Sequence, residues 1–201
     1  RDAVDQANLK LREMSVGAAA DVSLTLLSFE RGLLSSAARY QIDFNIPDDE
    51  GNDRQYSLLL NDRLEHGPFP VSRLARGQLM PVAAQSHFEL ERTPLTQKLF
   101  DAAAGNVPLV GEVTIGYDGG QSGDLRTPAF NIEDEDGSMR IAPATLNFAE
   151  DKDGSNVRMD GRLAEVAFDR QRTVSGQPVQ VVLRGFGLSA EINRTLALGS
   201  S

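Results

Sequence analysis

The 201-residue chain has no cysteine and no tryptophan, only two histidines, and only three lysines, Lys10, Lys98 and Lys152. Without cysteine there can be no disulfide framework, no thiolate zinc site and no cysteine nucleophile. No stretch approaches the roughly 18 consecutive apolar residues of a membrane-crossing helix, so no anchor or signal peptide is expected within these residues. The arginines are spread along the chain rather than gathered in a basic run, which argues against docking on anionic headgroups. A net charge of −9 and a pI near 4.7 also make nucleic acid an unlikely partner, because that affinity rests on clustered Lys and Arg.

What is present is enough to fold. Leu, Ile, Val and Phe make up about a quarter of the chain, above the level at which a charged sequence stays disordered. Residues 2–14 place Val4, Ala7, Leu11 and Met14 at helical spacing, predicting an N-terminal amphipathic helix. From Asp21 onward the period becomes two. Tyr40, Ile42, Phe44 and Ile46 alternate with polar residues, as do Tyr56, Leu58 and Leu60, then Val113, Ile115 and Tyr117, then Met139 and Ile141, then Val157, Met159 and Leu163. Hairpin signals at Gly51-Asn52-Asp53, Gly119-Gly120-Gln121, Asp136-Gly137 and Asp153-Gly154 predict antiparallel neighbours.

The apolar phase of the Met139–Phe148 strand slips at Pro143, which predicts a bulge, and it slips again between Leu163 and Val166. An internal helix is signalled by Thr93 as N-cap, Pro94 at the first position, Leu95, Leu99 and Ala103 on one face, and Gly105 as stop. A shorter helical turn is expected from Val71 to Arg76, ending at Gly77. The fold class is therefore mainly β: long antiparallel strands in a curved or folded sheet, with an N-terminal helix and one or two short internal helices. With no repeat and no linker, residues 1–201 are read as one unit.

No cluster meets the geometry of a known chemistry. His66 lies in Glu65-His66-Gly67-Pro68-Phe69-Pro70, a rigid turn in which the imidazole is expected to bond local backbone; His87 sits in a strand beside Phe88. Ser35, Ser36 and Ser72 lack a nucleophile elbow. Carboxylates at Asp48-Asp49-Glu50, at 133–136 and at Asp151-Lys152-Asp153 read as solvated turns, and Arg162 stands where a calcium loop begun at Asp151 needs its glutamate. Gly116, Gly119, Gly120 and Gly123 lie between strands rather than opening a helix, so no phosphate loop is formed. No catalytic residue, cofactor or metal is expected.

Arg31-Gly32 with Ser35-Ser36, then His66-Gly67-Pro68-Phe69-Pro70 with Leu74, then Leu99-Phe100-Asp101 and Ile115-Gly116-Tyr117, together resemble the YdgA-like family of bacterial proteins. The resemblance implies a longer protein, held in the inner membrane by a single N-terminal segment, with its bulk in the periplasm and with this chain following the anchor. It brings no catalytic residues, so Arg31, Gly32, Ser35, Ser36, His66, Gly67, Pro68, Phe69, Pro70, Gly116 and Tyr117 are taken as structural or interaction positions.

A sheet with one apolar face must cover that face. The alternatives are a sandwich closed on itself, the C-terminal portion of a longer chain, a second copy, an envelope protein, or a lipid acyl chain in an open groove. The leading expectation is a non-enzymatic periplasmic scaffold or binding module for lipid or a protein partner. The alternative is a hydrolase of envelope polymers that uses an Asp/Glu pair, with His66 as a further candidate.

Overall fold

A computed structural model describes residues 22–47, 53–134, 137–170 and 179–193. The expected N-terminal helix at 2–14 lies outside them, as do Asp48-Asp49-Glu50 and the Gly51-Asn52 turn. The described residues form one eleven-stranded antiparallel sheet. The first part comprises β1 (Val22–Arg31), β2 (Ser35–Pro47), β3 (Asp53–His66), the helical turn α1 (Val71–Ala75), β4 (Ala84–Leu90) and helix α2 (Gln97–Ala102). There follow β5 (Val110–Ile115), β6 (Gln121–Thr127), β7 (Phe130–Asp134), β8 (Gly137–Ile141), β9 (Ala144–Glu150), β10 (Asn156–Arg170) and β11 (Val179–Asn193).

The strands pair in the order β1-β2-β3-β4-β5-β6-β9-β10-β8-β7, and β11 pairs with β10. One edge of β10 meets β9 through Val157–Leu163 and then β8 through Val166–Arg170, while β11 runs along its other edge. The alternation read in the sequence becomes cross-strand pairs, such as Phe44 stacked on Tyr56 with ring centroids 5.7 Å apart. Tyr117 departs from its predicted strand. β5 ends at Ile115, and Gly116 N–H bonds the Gly120 carbonyl at 2.8 Å, so Tyr117 stands exposed in the hairpin turn.

Register separates the two faces, because alternate residues point to opposite sides of a sheet. One transverse row runs Ala38, Asp62, Phe88, Gly111, Leu125, Leu146, Gly161, Leu188, and the next on that face runs Ser36, Leu64, Ser86, Val113, Gly123, Phe148, Met159, Ala190. Between them, on the opposite face, lie Arg63, His87, Glu112, Asp124, Asn147, Asp160 and Ser189. One face is thus mainly apolar and the other charged.

Helix α2 covers part of the apolar face. Phe100 packs with Leu60 and Leu90 in a buried cluster flanked by Tyr40, Ile42, Leu58 and Phe88, and the Arg92 guanidinium lies 4.4 Å from the Phe100 ring centre. The expected inward face of Leu95 and Leu99 is corrected here, since both are exposed and Thr96, Phe100 and Ala103 are buried. Burial of Thr96 is tolerable because its hydroxyl donates to the Glu91 carbonyl at 2.8 Å. Thr93 and Thr96 cap each other, and the helix starts one turn later than Pro94 suggested.

The slip at Pro143 is real, but it is not a bulge. Ile141 pairs with Val166 and Ala144 with Leu163, so both strands advance by the same number of residues and none is inserted. The change instead crosses four strands. The row Thr127, Ala144, Leu163, Phe186 is followed, two intervening residues later in every strand, by the row Phe130, Ile141, Val166, Leu183. The interruptions are Pro128-Ala129, Ala142-Pro143, Ala164-Glu165 and Arg184-Gly185, with Gly185 at φ 75°, a conformation that favours glycine. They define a transverse crease, and β7, beyond it, contacts α2.

Candidate functional site

The motif residues from four separate segments meet at one end of the sheet. Arg31 ends β1, Ser35 and Ser36 open β2, His66 ends β3, and Gly116 and Tyr117 follow β5. Backbone bonds stitch the segments together. His66 N–H donates to Leu34 O at 2.8 Å, Gly67 N–H to Ala83 O at 3.3 Å, Val82 N–H to Pro68 O at 3.1 Å, and Ala83 N–H to Ile115 O at 2.8 Å. Gly32 is required by close approach, because a Cβ there would sit 2.4 Å from the Ser35 carbonyl oxygen.

The imidazole of His66 does not bond local backbone. Its Nε2 lies 2.7 Å from Ser36 Oγ, thirty residues earlier, and Ser36 is only 3% exposed. The pair joins β2 to the end of β3 and satisfies a buried hydroxyl. Beside it, Leu34, Phe69, Pro70 and Val71 help line a cleft of about 270 Å³. Pro70 is buried and Phe69 exposed, so the Pro68-Phe69-Pro70 segment presents its ring outward.

Helix α1 lies against the charged face. Glu65 Oε2 accepts from Ser72 N–H at 3.0 Å and from Ser72 Oγ at 2.7 Å, placing a carboxylate over the first turn. Burial alone would raise the Glu65 pKa, but these two bonds together with the charges of Arg63 and Arg76 outweigh it and hold the carboxyl below its ordinary value. Arg76 donates to Glu112 at 2.8 Å, and His87 and Arg126 each approach the same carboxylate at 3.6 Å. Arg63, Glu65, Ser72, Arg76, Gln85, His87 and Glu112 line a cleft of about 260 Å³. His87, read as a strand residue, is thus an exposed member of a charge network that periodicity could not reveal.

The apolar face also carries Asp62, while His66, Gln121 and Glu150 share that face by register nearer its end. Burial pushes the Asp62 carboxyl above the ordinary range, against a 2.7 Å hydrogen bond from Ser86 Oγ and the nearby charge of His87. Over β10 and β11 no described residue covers the same face, and Phe186 and Leu188 are 45% and 58% exposed. At 151–153 the acidic turn is exposed, and Asp153 accepts from Ser155 N–H at 3.0 Å, as a solvated turn should.

Fold and stitched end together define a mainly β protein built on one open antiparallel sheet, whose motif residues close one end of it. The chain belongs to the family described as bacterial protein of unknown function (DUF945), whose model matches residues 1–201. It is similar to Protein YdgA of Escherichia coli (strain K12), 27% identical over 165 residues, covering 80% of this chain and 32% of that protein. It is also similar to Uncharacterized protein YihF of the same organism, 26% identical over 149 residues, covering 73% of this chain and 30% of that one. The chain therefore spans about a third of the length of these relatives. No solved structure matches it.

Proposed function

We propose that this chain is a non-enzymatic binding module of the bacterial envelope that holds a lipid acyl chain along the apolar face of its sheet. One observation carries the reading: an apolar row from Phe88 to Leu188 runs unbroken across β4–β6 and β9–β11, and among the described residues α2 packs on the face near Leu60 and Leu90, leaving Phe186 and Leu188 exposed. A row such as Phe88, Gly111, Leu125, Leu146, Gly161 and Leu188 offers a methylene chain continuous contact at about 0.8 kcal/mol per buried CH₂. The glycines serve this surface. A Cβ on Gly111 would sit 2.3 Å from the Phe88 ring, so that ring lies across the neighbouring strand.

The periplasmic setting follows from the family resemblance and is part of the proposal. The hydrolase alternative gains nothing from His66, whose Nε2 is engaged with Ser36. The test is organic extraction of the purified chain followed by mass spectrometry. Near-stoichiometric acyl lipid supports the reading. A lipid-free protein that also fails to bind a fluorescent fatty acid contradicts it.

A further inference from the structure

We infer that the charged face of the sheet carries a binding site for a small hydroxylated monocarboxylate, centred on Arg73 between α1 and strands β4, β5, β6 and β9. A cleft of about 350 Å³ opens there, within the range of about 300–1,000 Å³ usual for small-molecule sites. Arg73, in the last turn of α1, reaches Gln85 and Thr114 on its floor, where Gln85 is 4% exposed and accepts from the Thr114 hydroxyl at 2.8 Å. Ser122 on β6 and Asn147 on β9 continue the lining, and both are exposed. All four sheet residues lie on the face opposite Phe186 and Leu188, so the inference is independent of the proposed acyl-chain surface.

Arg73 is the cation of this cleft that the fold leaves without a counter-ion. Its Nη1 donates to Gln85 Oε1 and Thr114 Oγ1, both at 3.4 Å, longer than the usual range of about 2.7–3.2 Å, and these two acceptors already bond each other. Its Nη2 makes no hydrogen bond, its Nε is buried without a partner, and among the described residues no carboxylate pairs with the guanidinium. The carboxylates of the cleft are already engaged. Glu112 accepts from Arg76 at 2.8 Å, with His87 and Arg126 at 3.6 Å, and Asp124 pairs with Arg126. Beyond the cleft, Glu65 bonds Ser72, and Asp160 is flanked along its strand by Arg158 and Arg162. A half-buried guanidinium is stable when paired, and its Nη1–Nη2 edge offers two parallel donors to a carboxylate entering the cleft. Three arginines against two carboxylates leave one positive charge, which matches a monoanion, while Glu112 and Asp124 disfavour a phosphate dianion. The remaining lining is neutral and hydrogen-bonding, with the hydroxyls of Thr114 and Ser122 and the carboxamides of Gln78 and Asn147, which suits hydroxyl groups on the ligand.

The test is an NMR titration of the isotope-labelled chain with glucuronate, compared at matched ionic strength with glucose, glycerol phosphate and sodium chloride. Glucuronate should give saturable shifts at the amides of Gln85, Thr114, Ser122 and Asn147, and glucose and glycerol phosphate should bind at least about tenfold more weakly. Arg73→Met should remove glucuronate binding without lowering the thermal midpoint, because Gln85 and Thr114 keep their bond to each other. Asn147→Ala, at an exposed position that folding does not depend on, should weaken binding about fivefold and decides the matter if Arg73→Met fails to fold. Both variants should bind a fluorescent fatty acid as the wild type does, and Phe186→Ser/Leu188→Ser should leave glucuronate binding unchanged. No saturable shift with glucuronate, an equal response to glucose or to chloride, or shifts confined to other parts of the sheet would overturn the inference. So would a folded Arg73→Met that binds like the wild type, or an Asn147→Ala that does.

Discussion

Phe100→Ala and the pair Phe186→Ser/Leu188→Ser remove apolar side chains from the same face and should have opposite consequences. Phe100 is 4% exposed and packs against Leu60 and Leu90, themselves 8% and 4% exposed, so truncation leaves a cavity between the helix and the strands it packs on. The expected loss is about 3–5 kcal/mol. It also removes the ring beneath Arg92, a contact worth about 0.5–1 kcal/mol at such a site. Leu188 and Phe186 already have roughly half of their surface in water, so substituting each should cost about 1 kcal/mol or less. Urea unfolding followed by far-UV circular dichroism, extrapolated at constant m, resolves this difference. The serine pair should unfold close to wild type while binding of a fluorescent fatty acid falls. If the serine pair destabilises the fold as much as Phe100→Ala does, the face over β10 and β11 is a closed core and the reasoning fails.

Other expectations follow from single contacts. Ser36→Ala removes the hydroxyl partner of His66 at a buried position and should cost about 1–3 kcal/mol, read from the urea midpoint, whereas an isolated turn histidine would make it neutral. Asp62 and Glu65 should give stability–pH dependences of opposite sign. The Asp62 carboxyl is raised from its ordinary 3.8, so its ionisation opposes folding and that term worsens as pH rises from about 3.8 through the raised pKa. Asp62→Asn, which can still accept from Ser86, should therefore gain on wild type across that rise. The Glu65 carboxyl is lowered from 4.5, so its contribution is present above 4.5 and disappears as pH falls through the lowered value. Glu65→Gln should lose stability above 4.5 and converge with wild type in acid; parallel profiles for both variants would contradict these assignments.

The sheet was legible wherever alternation was clean. Tyr40 to Ile46 reads directly as a half-buried strand because nothing interrupts its period of two, and the Gly119 and Gly154 turns signal the hairpins around them. Pro143 also announced a change of phase. Its extent was hidden, because the same line crosses Pro128, Glu165 and Gly185, and only pairing shows that these positions are neighbours. Helix α2 was misread because hydropathy favours Leu95 and Leu99 over Thr96. It cannot show that the Thr96 hydroxyl is satisfied by Glu91, while Phe100 drives the helix onto Leu60 and Leu90.

The candidate sites were harder for a related reason. His66 looked self-contained within its turn, yet its partner is thirty residues away on another strand. The network of Arg63, Arg76, His87 and Glu112 draws on three strands and a helical turn, so no local spacing encodes it. Arg31-Gly32, Ser35-Ser36, His66 to Pro70 and Gly116-Tyr117 are far apart in sequence, and only folding brings them to one end of the sheet, where shared backbone bonds join their segments.

The central claim, that the apolar face is an open lipid-holding surface, is tested most directly by placing a photo-crosslinking side chain at Leu188 on that face or at Asp160 on the other, in cells. Register sets these two positions on adjacent strands and opposite faces. Irradiation at position 188 should attach acyl lipid to the protein, and at position 160 it should not. Equal lipid capture at both positions, or none at 188, would contradict the account.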